Sequence, residues 1–291
     1  MVVKSVLAID IGGTKIASAL GDIEGNLIAI NSIPTPRSGD AEDVFSAIVH
    51  TVSASLKNAG DGYEIVACGI GCGGPMDFKR GLVSPLNIKS MIDFPIVERV
   101  ASYTGVQTFM DNDAKALALG EGWIGAAKNS SNFIAMVIST GVGGGIVLDG
   151  RLLNGRLGNA GHIGHVNVEP QGRECVCGSF GCLEAEASGT AIEKFTGLKA
   201  QFATEEVKER TGVLVGRAVS SVCNLLDLDL AVIAGSVAVG FGEKFFNNAN
   251  SELMRLSRLP YSRTSVIVPS PLNGLGPLAG ALKVGWNGLG S

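Results

Sequence analysis

Several short stretches of this 291-residue chain carry residues whose types and spacing could do chemistry. The first is Asp10-Ile-Gly-Gly-Thr-Lys15. Adjacent glycines, Gly12 and Gly13, let backbone N–H groups point into one concavity, which suits phosphate oxygens. Thr14 adds a hydroxyl donor and Lys15 a positive charge. Asp10 repels bare phosphate, but its carboxylate fits a hydrated Mg²⁺, a hard cation that also takes phosphate oxygens. The plainer reading is a glycine hairpin turn. The second stretch is Ser139-Thr140-Gly141-Val142-Gly143-Gly144-Gly145. Glycines this dense weaken an ordinary strand, so something approaches the backbone closely here. A second phosphate loop is the economical explanation, and a glycine bulge the alternative. The spacing matches neither the dinucleotide fingerprint nor the Walker loop.

Asp111-Asn112-Asp113 is the third stretch. A carboxylate there can take a proton from an attacking hydroxyl, or it can cap a helix. The fourth is Cys175-Val-Cys177-Gly-Ser-Phe-Gly-Cys182, with His165 ten residues upstream of Cys175. Three cysteines and a histidine make a closed tetrahedral Zn²⁺ site that staples a loop-rich segment and performs no chemistry. Unmetallated thiols are the alternative. Cys68, Cys72 and Cys223 lie on core-like segments, and His50 sits in an ordinary helix.

Regular elements must hold these residues. Val6 to Ile9 reads as a strand, Lys15 to Leu20 as its hairpin partner, and Leu27 to Ile33 as a third strand. From Asp40 to Lys57, Val44, Phe45, Ile48, Val49, Val52 and Leu56 recur on one helical face, and Gly60 is a stop signal. Ile65 to Ile70 reads as a buried strand and Val97 to Tyr103 as a short helix. Val106 to Met110 is a strand that delivers Asp111-Asn112-Asp113 to a helix running through Leu119. The same grammar restarts at the strand Phe133 to Ile138, the glycine turn 139–145 and the returning strand Ile146 to Leu148. A loop-rich stretch follows. Then come a helix (Glu205 to Leu226), a strand (Leu230 to Ala234), a helix (Glu243 to Leu256), a strand (Ser265 to Val268) and a last helix (Leu278 to Trp286). This alternation predicts α/β layers in two halves, with no sequence repeat visible between them.

Composition narrows the class. Hydrophobic residues are 46% of the chain, which excludes a disordered protein. A net charge of −4 argues against a nucleic-acid binder. The 41 glycines follow no collagen period, so they are expected in turns and loops. The apolar stretch 133–148 is broken by Ser139, Thr140 and glycines, so no membrane span is expected. Asp10 interrupts any signal-peptide core, so a cytoplasmic location is expected.

In order, these motifs resemble those of the ROK family (repressors and sugar kinases). The resemblance rests on DIGGTK, the Asn112-Asp113 pair, STGVGGG, and the run from Gly161-His-Ile-Gly-His165 through Cys182-Leu-Glu184. It covers nearly the whole chain. It implies an α/β, two-domain actin/hexokinase-like ATPase fold, with ribonuclease H-like domains closing on an inter-domain cleft. Residues 1–118 would form the N-terminal domain, with the last helix (278–291) packed back on it. Residues 119–277 would form the C-terminal domain with the zinc loop.

The resemblance also implies an activity: transfer of the γ-phosphoryl group of Mg²⁺-ATP to the 6-hydroxyl of a hexose or N-acetylhexosamine. Asp113 would be the general base. Asp10 (holding Mg²⁺ through water), Gly12, Gly13, Thr14, Lys15, Thr140, Gly141, Gly143, Gly144 and Gly235 would face ATP, with glycines 274, 276 and 280 near the nucleotide. Gly74 (beside Gly73), Asn87, Asn112, Asp113, His162, His165 and Glu184 would face the sugar. His165, Cys175, Cys177 and Cys182 would hold structural Zn²⁺. A homodimer is implied.

This chain departs from the family pattern in two places. The frequent Asn-Asp-Ala-Asn reads Asn112-Asp-Ala-Lys115, and the sequence leaves solvent and phosphate both open to Lys115. Glucokinases of the family usually read Gly-Glu-x-Gly-His. Here Gly161-His-Ile-Gly-His165 is similar to N-acetylmannosamine kinases. A neutral histidine offers one donor and one acceptor, and an acetyl carbonyl needs a donor that a carboxylate lacks. N-acetylmannosamine is therefore the expected acceptor and glucose the alternative, with packing near the zinc loop as the plain use of His162. The family's repressors place a DNA-binding segment ahead of the first loop, which starts here at residue 10. A non-catalytic sugar sensor would lose the carboxylate or the loops, and both are kept. Polyphosphate fits the loops as a donor as well as ATP does.

Overall fold

The computed structural model describes residues 2–290. Ser291, the end of the expected last helix, lies outside the described residues. The chain divides into two compact units: Gly125–Gly274, and the segments on either side of it, up to Ile124 and from Leu275 onward.

The first unit is built on a five-stranded sheet. Its strands are β1 (Val3–Ile11), β2 (Lys15–Gly21), β3 (Leu27–Pro34), β4 (Tyr63–Cys72) and β7 (Thr108–Asn112), in the order β3-β2-β1-β4-β7. β1 pairs antiparallel with β2 and parallel with β4, and β4 pairs parallel with β7. The parallel register sets Asp10 against Gly71 and Gly71 against Asp111, so the chemistry-bearing residues gather at one end of neighbouring strands. α1 (Ala41–Ala59) starts at a capping box between Asp40 and Asp43 and stops at Gly60, where φ is 71°. It covers one sheet face, burying Val44, Phe45, Ile48 and Val52 against Leu7, Ile9 and Ile70. A small hairpin, β5 (Met76–Asp77) and β6 (Leu82–Val83), and helix α2 (Ile96–Thr104) lead to β7. α3 (Asp113–Ile124) belongs to this unit over its whole length.

The last helix, α8 (Gly276–Leu289), lies on the other face, where Leu278, Ala281 and Leu282 pack on Val6, Ala8 and Ala67. Its backbone comes so close to β4 that a Cβ on Gly69 would collide with the Ala281 carbonyl. A Cβ on Gly120 of α3 would stand 2.9 Å from the Gly280 nitrogen. The glycine excess is therefore only partly a matter of turns and loops. Much of it lets helix and strand backbones touch inside the core.

The second unit repeats the sheet. β8 (Phe133–Ile138), β9 (Val142–Leu148), β10 (Arg151–Leu152), β11 (Leu230–Ala234) and β12 (Val266–Pro269) lie in the order β10-β9-β8-β11-β12. β8 pairs antiparallel with β9 and parallel with β11, and β11 pairs parallel with β12. α6 (Glu205–Leu226) and α7 (Ser236–Leu256) bury Leu214, Val215, Ala218, Phe241 and Phe245 on the sheet. α7 begins earlier than Glu243 because two helical segments join across Gly242, whose φ of 61° and ψ of −147° are not helical. The stretch read as loops holds α4 (Leu183–Ala187) and α5 (Gly189–Thr196). Among the described residues, no helix is long and apolar enough to cross a membrane.

Candidate functional site

In the first unit the sites begin at strand ends. The β1–β2 turn closes with Gly12 N–H donating to the Lys15 carbonyl at 2.9 Å. Thr35 fixes it from outside, its hydroxyl donating to the Gly12 carbonyl at 2.6 Å and its N–H to the Thr14 carbonyl at 3.1 Å. Asp10 is buried below this turn. Burial, and then the charge of Asp113, outweigh the pull of Lys15 and raise its pKa from 3.8 to about 7. Cys72, buried next to both, is pushed well above the usual thiol range by burial, then by Asp113 and Asp10.

At the β7–α3 junction the helix-capping reading of the acidic triplet holds. Asn112 Oδ1 accepts from the N–H groups of Ala114 (3.1 Å) and Lys115 (3.4 Å). Asp113 Oδ1 accepts from Ala114 N–H at 2.8 Å. These oxygens cap the helix. The other terminal atoms turn toward the Gly73-Gly74 backbone. A Cβ on Gly73 would stand 4.0 Å from Asp113 Oδ2, and one on Gly74 would stand 3.9 Å from Asn112 Nδ2. Asn112 thus offers ligands a donor, and Asp113 an acceptor. Asn87 lies against the β1–β2 turn, since a Cβ on Gly13 would stand 2.6 Å from the Asn87 Cβ. Lys115 does not face solvent: it is 1% exposed, with Nζ 2.9 Å from Asp111 Oδ1.

In the second unit the glycine turn is shorter than expected. It spans Ser139–Gly141, where Ser139 N–H donates to the Gly141 carbonyl at 3.0 Å. Gly143 and Gly144 lie in β9, paired with Val137 and Met136. Gly144 has a packing reason of its own, because a Cβ there would stand 3.0 Å from Ile163 Cγ2 and 3.1 Å from the Gly161 carbonyl. The turn is held by Glu184 and by two residues the sequence did not point to, Gly189 and Thr190. Gly189 N–H donates to the Ser139 carbonyl at 2.7 Å, and Thr190 donates to the Thr140 carbonyl through N–H (3.2 Å) and hydroxyl (2.9 Å). Glu184 Oε2 accepts from Val142 N–H at 3.0 Å. Gly235, at φ 102°, starts α7 beside this turn, and Ser236 Oγ lies 3.0 Å from Ser139 Oγ.

The metal-type cluster is also in this unit. The donor atoms of His165, Cys175, Cys177 and Cys182 all lie within 4.8 Å of one another. Cys177 Sγ is 3.7 Å from Cys182 Sγ, and Cys175 Sγ is 3.7 Å from His165 Nδ1. Zn–S bonds of about 2.3 Å in a tetrahedron give S–S edges of roughly 3.8 Å, so the donor set fits such an ion. The loop carrying it is braced by buried Glu186, which accepts from the Arg173 backbone and from the Arg173 and Arg210 guanidiniums. His162 Nδ1 lies 2.8 Å from the Asn159 carbonyl. A carbonyl only accepts, so Nδ1 carries the proton and Nε2 of the neutral ring is an acceptor.

The profile of the ROK family matches residues 6–283. The glucokinase of Streptomyces coelicolor is 36% identical over 205 residues, 69% of this chain, and the match spans only 62% of that enzyme. The N-acetylmannosamine kinase of Yersinia pseudotuberculosis is 35% identical over 255 residues, 82% of this chain and 86% of that one. The crystal structure of the ROK hexokinase from Thermus thermophilus superposes with a TM-score of 0.85 at 30% identity, covering 99% of this chain and 100% of that one. A ROK family glucokinase from Streptomyces griseus, solved with glucose and AMPPNP, gives 0.82 at 27% identity, covering 97% and 99%. The fold is the actin/hexokinase-like ATPase fold of these proteins.

Proposed function

The chain belongs to the ROK family, and from that premise we propose that it is an ATP-dependent sugar kinase acting on the 6-hydroxyl of a hexose or N-acetylhexosamine. One observation carries the reading: the first residue of α3, Asp113, turns Oδ2 toward the same glycines as the donor Nδ2 of Asn112, beside the buried Asp10.

Phosphoryl transfer needs positioning and charge stabilisation more than covalent chemistry. Asn112 and Asn87 would orient the sugar hydroxyls. Asp113 Oδ2 would accept the proton as the 6-hydroxyl attacks the γ-phosphorus in line. The backbone of Gly12–Lys15 and of Thr140–Gly141 would hold the phosphates, with Gly235 near the nucleoside. Gly143 and Gly144 keep a place in that site only through their backbone. Asp10 would hold Mg²⁺ through water, and bound Mg²⁺ neutralises charge on the transferring phosphoryl group. Zn²⁺ on His165, Cys175, Cys177 and Cys182 would order the loop that carries His162 and Glu184 and would do no chemistry.

N-acetylmannosamine remains the proposed acceptor, supported by the long match to its kinase. The role of His162 changes, however. With Nδ1 committed to Asn159, the neutral ring has no donor for an acetyl carbonyl. Its Nε2 instead suits the acetamido N–H. The same acceptor favours a second reading, glucose, from one of whose hydroxyls it would accept a hydrogen bond. A cytoplasmic homodimer is part of the proposal.

The test is ADP release over N-acetylmannosamine, glucose, N-acetylglucosamine, mannose and fructose, with ATP and polyphosphate as donors. Turnover is expected with ATP, highest on N-acetylmannosamine. Asp113→Asn is expected to lower kcat by about 10²–10⁴-fold with KM changed only a few-fold. Preference for glucose selects the second reading. Absence of sugar-dependent turnover with either donor returns the protein to the sensor class.

A further inference from the structure

We propose that Lys115 is a positioning residue, which sets the backbone on which Asn112 and Asp113 stand. The inference rests on the kinase reading above. Lysine is almost never fully buried unless it is paired. Lys115 is nonetheless among the largest fully buried side chains of the protein. Its Nζ donates to Asp111 Oδ1 at 2.9 Å, and that same oxygen accepts from Asn112 N–H at 2.8 Å. The Lys115 N–H in turn faces Asn112 Oδ1 at 3.4 Å. Main chain and side chain of Lys115 therefore grip Asn112 from two directions. Side chain to side chain to backbone is one path, and backbone to side chain is the other. Asp113 lies between the two points of attachment.

A further contact ties this grip to the neighbouring hairpin. Lys115 Nζ sits 5.4 Å from the ring of Phe78, in the β5–β6 turn that precedes the Asn87 segment. A cation over an aromatic face is attracted by the ring quadrupole. An apolar side chain of the same volume would fill this place without the cost of burying a charge. What it would lack is a donor for Asp111. Without that donor, Asp111 is not held in the orientation that receives Asn112 N–H, and the plane of the 111–112 peptide is no longer fixed. A small rotation there moves Asp113 Oδ2 and Asn112 Nδ2 together, and near-attack geometry tolerates little misplacement.

Two variants test this, Lys115→Met and Lys115→Gln. Both approximate the length of the side chain, but only glutamine keeps a donor toward Asp111. Steady-state kinetics on the accepted sugar are expected to show kcat/KM for the sugar falling about hundredfold in the Met variant and about tenfold in the Gln variant, with KM for ATP within twofold of the parent. A pure packing role predicts the reverse order, since methionine packs better in an apolar site. Equal losses in the two variants, a better methionine variant, or unchanged kinetics in both would overturn the inference. If the methionine variant does not fold, the glutamine variant carries the test: parent-like kinetics, or an equal rise in KM for ATP, defeats it. A parent without sugar-dependent turnover defeats the kinase reading instead. The inference then stands or falls on amide hydrogen exchange at residues 112–115 without ligands. Protection there is expected to drop at least tenfold more in the methionine variant than in the glutamine variant, and equal protection refutes it.

Discussion

The two sheets have the same strand order and the same directions, yet they equip their first hairpins in opposite ways. In the first unit Asp10, Asp111 and Asn112 belong to the strands themselves. Asp10 ends β1, and Asp111 and Asn112 end β7, with only β4 between them. The β1–β2 turn is braced locally, by Thr35 on the next strand's exit. In the second unit the β8–β9 turn carries no carboxylate. Its bracing comes from residues more than forty positions later: Glu184, Gly189 and Thr190, just after the last cysteine of the metal cluster. One scaffold thus supports two designs. One places charge by strand register. The other holds a backbone loop through a distant segment, next to the cluster of His165, Cys175, Cys177 and Cys182.

Metal removal is the largest perturbation expected to separate the two designs. Chelation, or Cys182→Ser, should release the 165–182 loop and with it Glu184 and Thr190. Structural zinc contributes folding free energy directly. The expected result is loss of about one zinc per chain by metal analysis and a drop of at least roughly hundredfold in sugar-dependent turnover. Hydrogen-exchange protection should fall in β9 and α4 while β1 and β4 keep theirs. Equal loss of protection in both sheets would mean that the first unit is not independently held.

A smaller effect compares the two turns directly. Gly13→Ala would drive a Cβ to 2.6 Å from the Asn87 Cβ, an atom close to the main chain that has little room to yield. Overpacking of this kind costs about 1–3 kcal/mol, so kcat/KM for the sugar should fall roughly tenfold to hundredfold. Gly141→Ala meets only Glu184 Oε2, at 2.9 Å, the mobile end of a side chain. The carboxylate can swing aside, at the cost of its bond to Val142 N–H. KM for ATP should rise by only about threefold to tenfold. Side-by-side kinetics decide the comparison, and a Gly141 variant worse than the Gly13 variant would break it.

The contrast also explains what could be read from the residues alone. α1 was legible because an acidic cap, a 3.6-residue apolar period and Gly60 all agree. The cluster of His165, Cys175, Cys177 and Cys182 was legible because its members lie close in sequence. The two β-hairpins were legible because each is local. α4 and α5 were read as loop because five and eight residues are too few to show a period. Thr190 was invisible for a different reason. Its bond to the Thr140 carbonyl spans fifty residues, and no side-chain type announces which main-chain carbonyl it will meet. The place of Lys115 was not legible because a charged residue defaults to the surface, and only the register of α3 over Asp111 reveals its partner. The repeat of the sheet was legible in the order of the elements but not in the residues, because strand order is set by hydrogen-bond pairing, which unrelated apolar sequences satisfy equally well.

The smallest effect is in stability, and it separates the units by sign. Asp10 titrates near 7 in the folded protein, against an ordinary value of 3.8. Between those values the folded chain holds a proton that the unfolded chain has released, so rising pH weakens the first unit until about pH 7 and then stops. Glu186 in the second unit behaves oppositely. Burial raises its pKa, but the Arg173 backbone N–H and the Arg210 and Arg173 guanidiniums outweigh it and hold the carboxyl below its ordinary value. Its contribution is therefore present above the ordinary carboxylate range and lost as pH falls through the lowered value. Asp10→Asn removes the first dependence. With about 1.36 kcal/mol per pKa unit, the melting advantage of that variant over the parent should grow by roughly 5 °C between pH 5 and 8 and then level off. Glu186→Gln should instead lower the melting temperature at neutral pH, with a penalty that shrinks as the solution is acidified. Thermal melts of both variants without ATP or Mg²⁺ check the pair. An Asp10→Asn advantage that does not change with pH would mean that Asp113 and the surrounding apolar wall do not hold the proton on Asp10, and the charge-placement design of the first unit would lose its main support.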